Sequence, residues 1–96
     1  MNDVDDETVH RAAEMFALLG NETRINILLL LAEEEQCVHD IADRLDMGIS
    51  NISHHLRRMK DTGVVRARKD GRHKYYRVKD EHITTLVNTG VECASE

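Results

Sequence analysis

Four side chains of types that bind divalent metal ions flank the end of the 96-residue chain. Asp80, His82, Cys93 and Glu96 follow the pattern D-x-H-x10-C-x2-E, and carboxylate, imidazole and thiolate groups are ligands of zinc. His82 and Cys93 are about three helical turns apart, so they share one helix face but are separated by ~16 Å along its axis at ~1.5 Å per residue. Zinc–ligand bonds are only ~2.0 to 2.3 Å long, so one ion cannot reach both side chains of one chain.

Two antiparallel copies of such a helix would bring the four residues together. In two antiparallel copies of a helix, two residues lie at the same height when their numbers add to one fixed total. His82 with Cys93 and Asp80 with Glu96 give nearly the same total, so both pairs fit one two-fold axis near Val87. We therefore predict a homodimer with two equivalent metal sites, each with Asp80 and His82 from one subunit and Cys93 and Glu96 from the other. Asp80 must then lie at the helix cap, because residues at i and i+2 do not share a face of a regular helix.

The identity of the metal and an alternative role for these residues stay open. Zn²⁺ suits the donor set, and Cd²⁺, Co²⁺ or Ni²⁺ are alternatives because a thiolate raises affinity for softer ions. Under the alternative, Asp80 only caps the helix, Cys93 packs, and His82 and Glu96 face solvent.

Hydrophobic periodicity predicts the elements that must position these residues. A first helix runs from about Asp6 to Leu19 and is ended by Gly20, and a second helix follows Asn21. Their apolar stripes are Val9, Ala12, Ala13, Phe16 and Leu19, then Ile25, Leu28, Leu29 and Ala32. A short extended segment at Cys37-Val38 leads into a third helix, whose apolar residues are Ile41, Ala42 and Leu45.

A tight turn over residues 46–48 separates the third helix from a fourth. The fourth helix begins within residues 48–50 and ends at Gly63, since glycine suits a left-handed cap. Its predicted buried stripe is Ile49, Ile52, Leu56 and Met59.

After Gly63 the repeat of apolar residues changes from the 3.6 residues typical of a helix to the two residues typical of a strand. Two β-prone runs over residues 64–69 and 73–78 are separated by Asp70-Gly71-Arg72, which predicts a hairpin. A last helix then runs from about Asp80 to Cys93. The expected fold is mainly α with a β-hairpin wing, in the order four helices, hairpin, helix, which is a winged helix-turn-helix that dimerises through its terminal helices.

Charge along the chain is strongly uneven. Residues 48–79 contain ten Lys/Arg and two Asp/Glu, a net charge of +8, whereas the other 64 residues have a net charge of −13. A basic segment of this density indicates a surface that binds a polyanion.

The third and fourth helices, joined by a three-residue turn, fit a helix-turn-helix that reads operator double-stranded DNA. The predicted contacts on the fourth helix are Ser50, Asn51, Ser53, His54, His55, Arg57 and Arg58, and those on the hairpin are Lys69, Arg72, His73 and Lys74. The alternative is that the serines only cap and the histidines only pack.

Five segments of the chain together resemble the ArsR/SmtB metal-responsive winged-helix repressors of prokaryotes. They are ALLGNETR (17–24), QCVHDIA (36–42), SNISHHL (50–56), GRHKYY (71–76) and DEH (80–82). The chain differs at Gly48-Ile49, where members commonly carry Ser-Gln, and at Cys93, where zinc sensors usually have histidine. The resemblance implies a repressor that binds its operator without metal and releases it when zinc binds at the last helix.

The resemblance also implies a second, weaker candidate metal site at the third helix. The segment from Cys37 to Asp40, which includes His39, is similar to the Cys-Val-x-Asp of family members, which complete that site with Cys or His from the N-terminal segment. The N-terminal segment of this chain offers His10. The alternative for these residues is a packing or capping role.

A second function also fits the two cysteines. A thiol- or persulfide-responsive repressor would switch through a bridge between Cys37 and Cys93, which requires their α-carbons to lie within ~7 Å.

Length and composition exclude other classes. With 41% hydrophobic and 32% charged residues, we expect one domain over residues 1–96, with the helix-turn-helix at about 38–60, the wing at 64–78, and the dimerisation and metal-binding helix at 80–96. We find no catalytic triad pattern or glycine-rich phosphate loop, so we predict neither an enzyme nor an organic cofactor. The longest apolar run, residues 27–32, is too short to span a bilayer. The acidic segment 1–7 is unlike a signal peptide, so we expect a cytoplasmic protein without a membrane partner.

Overall fold

The computed structural model describes residues 3–96 and folds them into five helices and three strands. The helices are α1 (Asp6–Leu19), α2 (Glu22–Glu33), α3 (Val38–Leu45), α4 (Ile49–Asp61) and α5 (Glu81–Ser95), and the strands are β1 (Gln36–Cys37), β2 (Val65–Asp70) and β3 (His73–Val78). The predicted winged helix-turn-helix architecture is confirmed. Met1 and Asn2, at the start of the acidic segment, lie outside the described residues.

Side-chain caps set the starts of the first two helices. Asp5 Oδ1 accepts a 2.7 Å hydrogen bond from the Thr8 amide, and Asn21 Oδ1 accepts a 3.0 Å bond from the Arg24 amide, because the first amides of a helix have no partner within it. Gly20 separates the two helices, whose axes are bent by 94°. Within residues 3–96 no single helix is long and apolar enough to cross a membrane, and α1 and α2 meet that requirement only as a bent pair.

The sheet contains one strand more than the predicted hairpin. The strand order is β1-β3-β2, and β1 pairs antiparallel with β3, with Cys37 opposite Tyr75. The extended segment predicted at Cys37-Val38 lies one residue earlier, at Gln36–Cys37, because Val38 begins α3. Its pairing was not predicted, because its partner strand lies far along the chain. The buried side chain of Gln36 donates a 3.2 Å hydrogen bond from Nε2 to the Leu30 carbonyl, so β1 is also held against the end of α2.

The hydrophobic core lies between α2, α3, α4, the start of β2 and α5. Its most deeply buried side chains are Ile27, Leu28, Ile41, Ile52, Leu56, Met59, Val64, Val65 and Ile83. Five residues of the predicted apolar stripes are exposed, and three of them, Val9, Ala13 and Phe16, lie on α1. Ile49, 45% exposed, lies in the first turn of α4, before that helix reaches the core. Ala32 faces solvent while Ile27 and Leu31 are buried, because a continuous apolar run has no polar residues to mark its outer face.

Candidate DNA-binding face and metal site

A three-residue turn orients α3 and α4 as a helix-turn-helix. Asp46 ends α3 in the left-handed conformation, with φ of 53°, and its amide donates to the carbonyls of Ala42 and Asp43. The Met47 amide adds a 3.0 Å hydrogen bond to the Ala42 carbonyl. These bonds satisfy the last carbonyls of α3 and reverse the chain within the turn, at the position that the sequence predicted.

The two faces of α4 differ sharply in chemistry. Ile52, Leu56 and Met59 are fully buried and anchor the helix in the core. The predicted DNA contacts lie on the rest of the helix surface, where Ser50, Asn51, His54, Arg57 and Arg58 are exposed and Ser53 and His55 are half-buried. The helix therefore presents polar side chains at its start and cations further along.

The first turn of α4 is open to an anion. Gly48 is the N-cap residue and has no side chain that could accept a hydrogen bond from the first amides, and this turn contains no acidic residue. Uncapped amides at a helix N-terminus attract phosphate groups. This end of α4 suits the phosphate backbone as well as base edges.

Arg24 links three helices around the middle of α4. Its Nε donates a 3.1 Å hydrogen bond to His55 Nδ1 on α4, and its Nη1 donates a 3.1 Å bond to the Leu18 carbonyl near the end of α1. Burial lowers the pKa of His55, and the nearby charges of Arg24 and His54 lower it further. His55 is therefore held neutral as an acceptor that orients α4. Sequence reasoning missed Arg24, although it lies in one of the segments that carry the family resemblance.

The cations of the wing differ in whether another side chain of the protein pairs with them. Lys69, Arg72, His73 and Lys74 surround the tip of the hairpin and are exposed. Arg68 instead pairs with Glu35, with its Nε 2.9 and 3.1 Å from the two carboxylate oxygens, and lies over the Tyr75 ring at 5.0 Å from its centre. The hydrogen bond from Arg68 lowers the pKa of the Glu35 carboxyl. Glu35, which no sequence pattern marked, thereby links the middle of the wing to the segment before β1.

The four candidate metal ligands of α5 lie at its two ends. Asp80 is the N-cap and accepts a 2.9 Å hydrogen bond from the His82 amide, and its Oδ1 is 3.3 Å from His82 Nδ1. Burial alone would raise the pKa of Asp80, but this hydrogen bond and the charges of His82 and Lys79 outweigh it, so the pKa lies below its ordinary value. Cys93 and Glu96 are exposed at the opposite end.

The ligand pairs do not meet within one chain. Among residues 3–96 of a single subunit, no three His, Cys, Asp or Glu side chains lie close enough to bind one ion. Asp80 and His82 are adjacent, and the His82 side chain is 91% exposed. A complete site on α5 therefore requires ligands from a second molecule.

The second candidate site is more dispersed. Cys37 is buried in β1 and serves as the N-cap of α3, whereas His39 and Asp40 are exposed in the first turn of that helix. His10 lies on α1, with its Nε2 3.6 Å from Glu14. Both cysteines are free thiols, Cys37 buried and Cys93 exposed.

Comparison with known proteins places this geometry in a family. Residues 21–67, which contain α2, α3, α4 and the start of the wing, match the family model described as bacterial regulatory protein, arsR family. The chain is 40% identical over 76 residues to a cadmium resistance transcriptional regulatory protein CadC homolog of Staphylococcus aureus, an alignment that covers 78% of this chain and 63% of that protein. It is 36% identical over 90 residues to the transcriptional repressor SmtB of Mycobacterium tuberculosis, covering 94% of this chain and 67% of the repressor.

A solved structure shares the whole architecture. The homodimeric winged helix-turn-helix DNA-binding domain Mb0332 of Mycobacterium bovis superimposes with a TM-score of 0.86 at 31% identity, covering 100% of this chain and 92% of that one. The shared sequence, fold and helix-turn-helix identify a DNA-binding transcriptional regulator and not an enzyme. The chain belongs to the ArsR family of bacterial regulatory proteins.

Proposed function

We propose that the protein is a cytoplasmic metal-sensing repressor whose homodimer binds operator DNA and leaves it when Zn²⁺ or a similar divalent ion binds between the two α5 helices. The observation that carries this proposal is the division of the ligands. Asp80 and His82 lie at one end of α5, and Cys93 and Glu96 lie at the other. Two such helices in antiparallel contact would complete two sites, each with ligands from both subunits.

DNA binding is assigned to α4 and the tip of the wing. The polar start of α4 would enter the major groove, with Ser50, Asn51 and Ser53 near base edges. The exposed cations Arg57, Arg58, Lys69, Arg72 and Lys74, with His54 and His73, would contact phosphates on either side. His55 would act by holding α4 in position through Arg24.

An unpartnered apolar surface on α1 and α5 supports dimerisation. Phe16 is 58% exposed, and Val9 and Val91 are also exposed. Phe16 and Val91 line an open groove of about 340 Å³ between the two helices, together with Leu19, Gly20, Ile25, Leu86, Val87, Gly90 and Ala94. Apolar surface of this kind on a small domain is typical of a subunit interface. It lies along α5, between the two pairs of candidate ligands.

The donor chemistry of the α5 residues fits zinc. Each shared site would combine two carboxylates, one imidazole and one thiolate, a four-ligand set that leaves no open position for a substrate. Because the His82 ring and the Cys93 thiol must be deprotonated to bind a metal ion, affinity would fall as the pH is lowered. Successive major grooves of DNA are ~34 Å apart. For metal binding to release DNA, the distance between the two α4 helices in the metal-bound dimer must no longer match that spacing.

Subunit mixing tests the shared site directly. We expect neither the D80A/H82A homodimer nor the C93A/E96A homodimer to bind Co²⁺, used as a spectroscopic probe, at the α5 sites. Mixed dimers of the two variants should bind one ion each, because one complete site forms from Asp80 and His82 of one subunit with Cys93 and Glu96 of its partner. Absence of binding in the mixture, with dimerisation intact, would refute the assignment.

Operator release gives the functional readout. H82Q and C93S should bind the operator as the wild type does but stay bound when Zn²⁺ is added, as measured by fluorescence anisotropy. H39Q, which alters only the second candidate site formed with Cys37, Asp40 and His10, is the matched control and should remain sensitive to Zn²⁺. If an oxidant or a polysulfide releases the operator without metal, and the C37S variant no longer shows this release, the thiol-responsive alternative is supported instead.

A further inference from the structure

One large apolar side chain is exposed on the part of the fold that would face DNA. Of the described residues, the other exposed large hydrophobic side chains are Val4, Val9, Phe16 and Val91, and all of them lie on or beside α1 and α5. Ile49 alone lies on α4, where it is 45% exposed. Its exposure is therefore not part of the apolar surface assigned to dimerisation.

The surroundings of Ile49 leave it free to reach into a groove. It is the first residue of α4 and follows Gly48, where an added Cβ would have no neighbour within 4 Å. On the helix surface Ile49 neighbours Ser53, because residues four apart lie on the same face. Ser50 and Asn51, which follow it in the chain, are exposed polar residues. The apolar side chain thus lies at the tip of α4, among the residues assigned to base contacts.

The chemistry of an isoleucine restricts what it can recognise there. Its side chain cannot donate or accept a hydrogen bond, so it cannot pair with the polar atoms of a base edge. The C5-methyl group of thymine is the apolar feature that the major groove presents to a protein. An exposed aliphatic side chain at the tip of a reading helix is complementary to that methyl group.

We propose that Ile49 selects operator sequence by packing against a thymine methyl group in each half-site. The inference rests on the proposed function, since it assumes that α4 enters the major groove. Burial of one methyl-sized group corresponds to about a fourfold change in affinity. A two-fold symmetric dimer would make this contact twice, so loss of both methyl groups would weaken binding by about 15-fold.

Uracil substitution isolates the methyl group, because deoxyuridine differs from thymidine only by lacking it. High-affinity duplexes are first selected by the full-length protein from a random pool. Each thymine of the selected duplex is then replaced by deoxyuridine, and binding is measured by fluorescence anisotropy at fixed salt. We expect one thymine position per half-site at which the wild type loses about fourfold in affinity. Ile49→Ala should lose no affinity when the thymine at that position is replaced by deoxyuridine. Replacement of thymines elsewhere in the site should change its affinity as it does for the wild type.

A matched control separates the contact from a general loss of apolar surface. Val4, 48% exposed, lies just before α1, and Val4→Ala should show the wild-type uracil penalty at every position. The inference is overturned if Ile49→Ala keeps the full penalty, or if no thymine of the selected duplex is sensitive to loss of its methyl group. If no sequence is enriched from the pool, sequence-specific DNA binding itself fails, and the inference fails with it.

Discussion

Protonation of His55 should weaken the link between α2 and the DNA-reading helix. Neutral His55 accepts a hydrogen bond at Nδ1 from the Arg24 side chain at 3.1 Å. A proton on that nitrogen removes the acceptor and places two positive charges side by side. Because burial and the nearby cations lower the pKa of His55 in the folded protein, this contribution to stability is complete above the ordinary value of 6.5. It is lost as the pH falls from there through the lowered pKa.

The size of the effect follows from the contacts of the two side chains. A hydrogen bond that involves a charged group contributes about 1.5–3 kcal/mol when buried, and both residues here are half-buried, so we expect a coupling energy of ~1 kcal/mol at pH 8. Since ~1 kcal/mol shifts the melting temperature of a domain of this size by roughly 4–8 °C, the change is measurable. As the pH falls below 6.5 and through the lowered pKa of His55, the coupling energy should fall to about zero or become unfavourable.

A double-mutant cycle of Arg24→Met and His55→Phe measures this coupling by chemical denaturation over a pH series that descends from pH 8. Protein concentration is held constant, because dimerisation changes apparent stability. His55→Asn is the matched variant, since its side-chain oxygen can accept from Arg24 without titrating, and it should retain coupling over the whole pH series. His54→Asn removes a nearby charge that lowers the pKa of His55, so the loss of coupling should remain but begin at a higher pH. A loss of coupling with falling pH that is equally large in the His55→Asn cycle would refute the reasoning.

Three further perturbations test other parts of the structure. Leu56→Ala removes a fully buried side chain and should lower the free energy of unfolding by about 2–5 kcal/mol, whereas Ile49→Ala should change it by less than about 0.5 kcal/mol, as measured by urea denaturation. Gly71 has a φ of +64° with open space around its Cβ position, so Gly71→Ala should cost about 1–2 kcal/mol from backbone strain alone; an unchanged melting temperature would contradict this. Glu35→Gln frees the Arg68 side chain of each subunit for phosphate contact and should steepen the salt dependence of DNA binding by about two units of slope for the dimer, whereas an unchanged slope would mean that Arg68 stays away from DNA.

Local signals in the sequence were sufficient for most of the architecture. α1 begins and ends at the predicted residues, since Asp5 and Gly20 act on amides and carbonyls within one turn of themselves. The hairpin was predicted from the Asp70-Gly71 turn between two alternating runs, which is also a local effect. The position of the candidate ligands at the two ends of α5 likewise followed from spacing along one helix.

Tertiary packing decided the features that depend on distant residues. Arg24 meets His55 across 31 positions, and Arg68 meets Glu35 across 33 positions, and no local pattern marks either pair. Ile49 fits the helical stripe of Ile52 and Leu56 in sequence but is exposed in the structure, because burial depends on what lies opposite a side chain and not on its spacing. The types and order of the elements were therefore determined by short-range chemistry, whereas the links that position α4, the pairing of β1 and the exposed tip of the reading helix arose only when the chain folded.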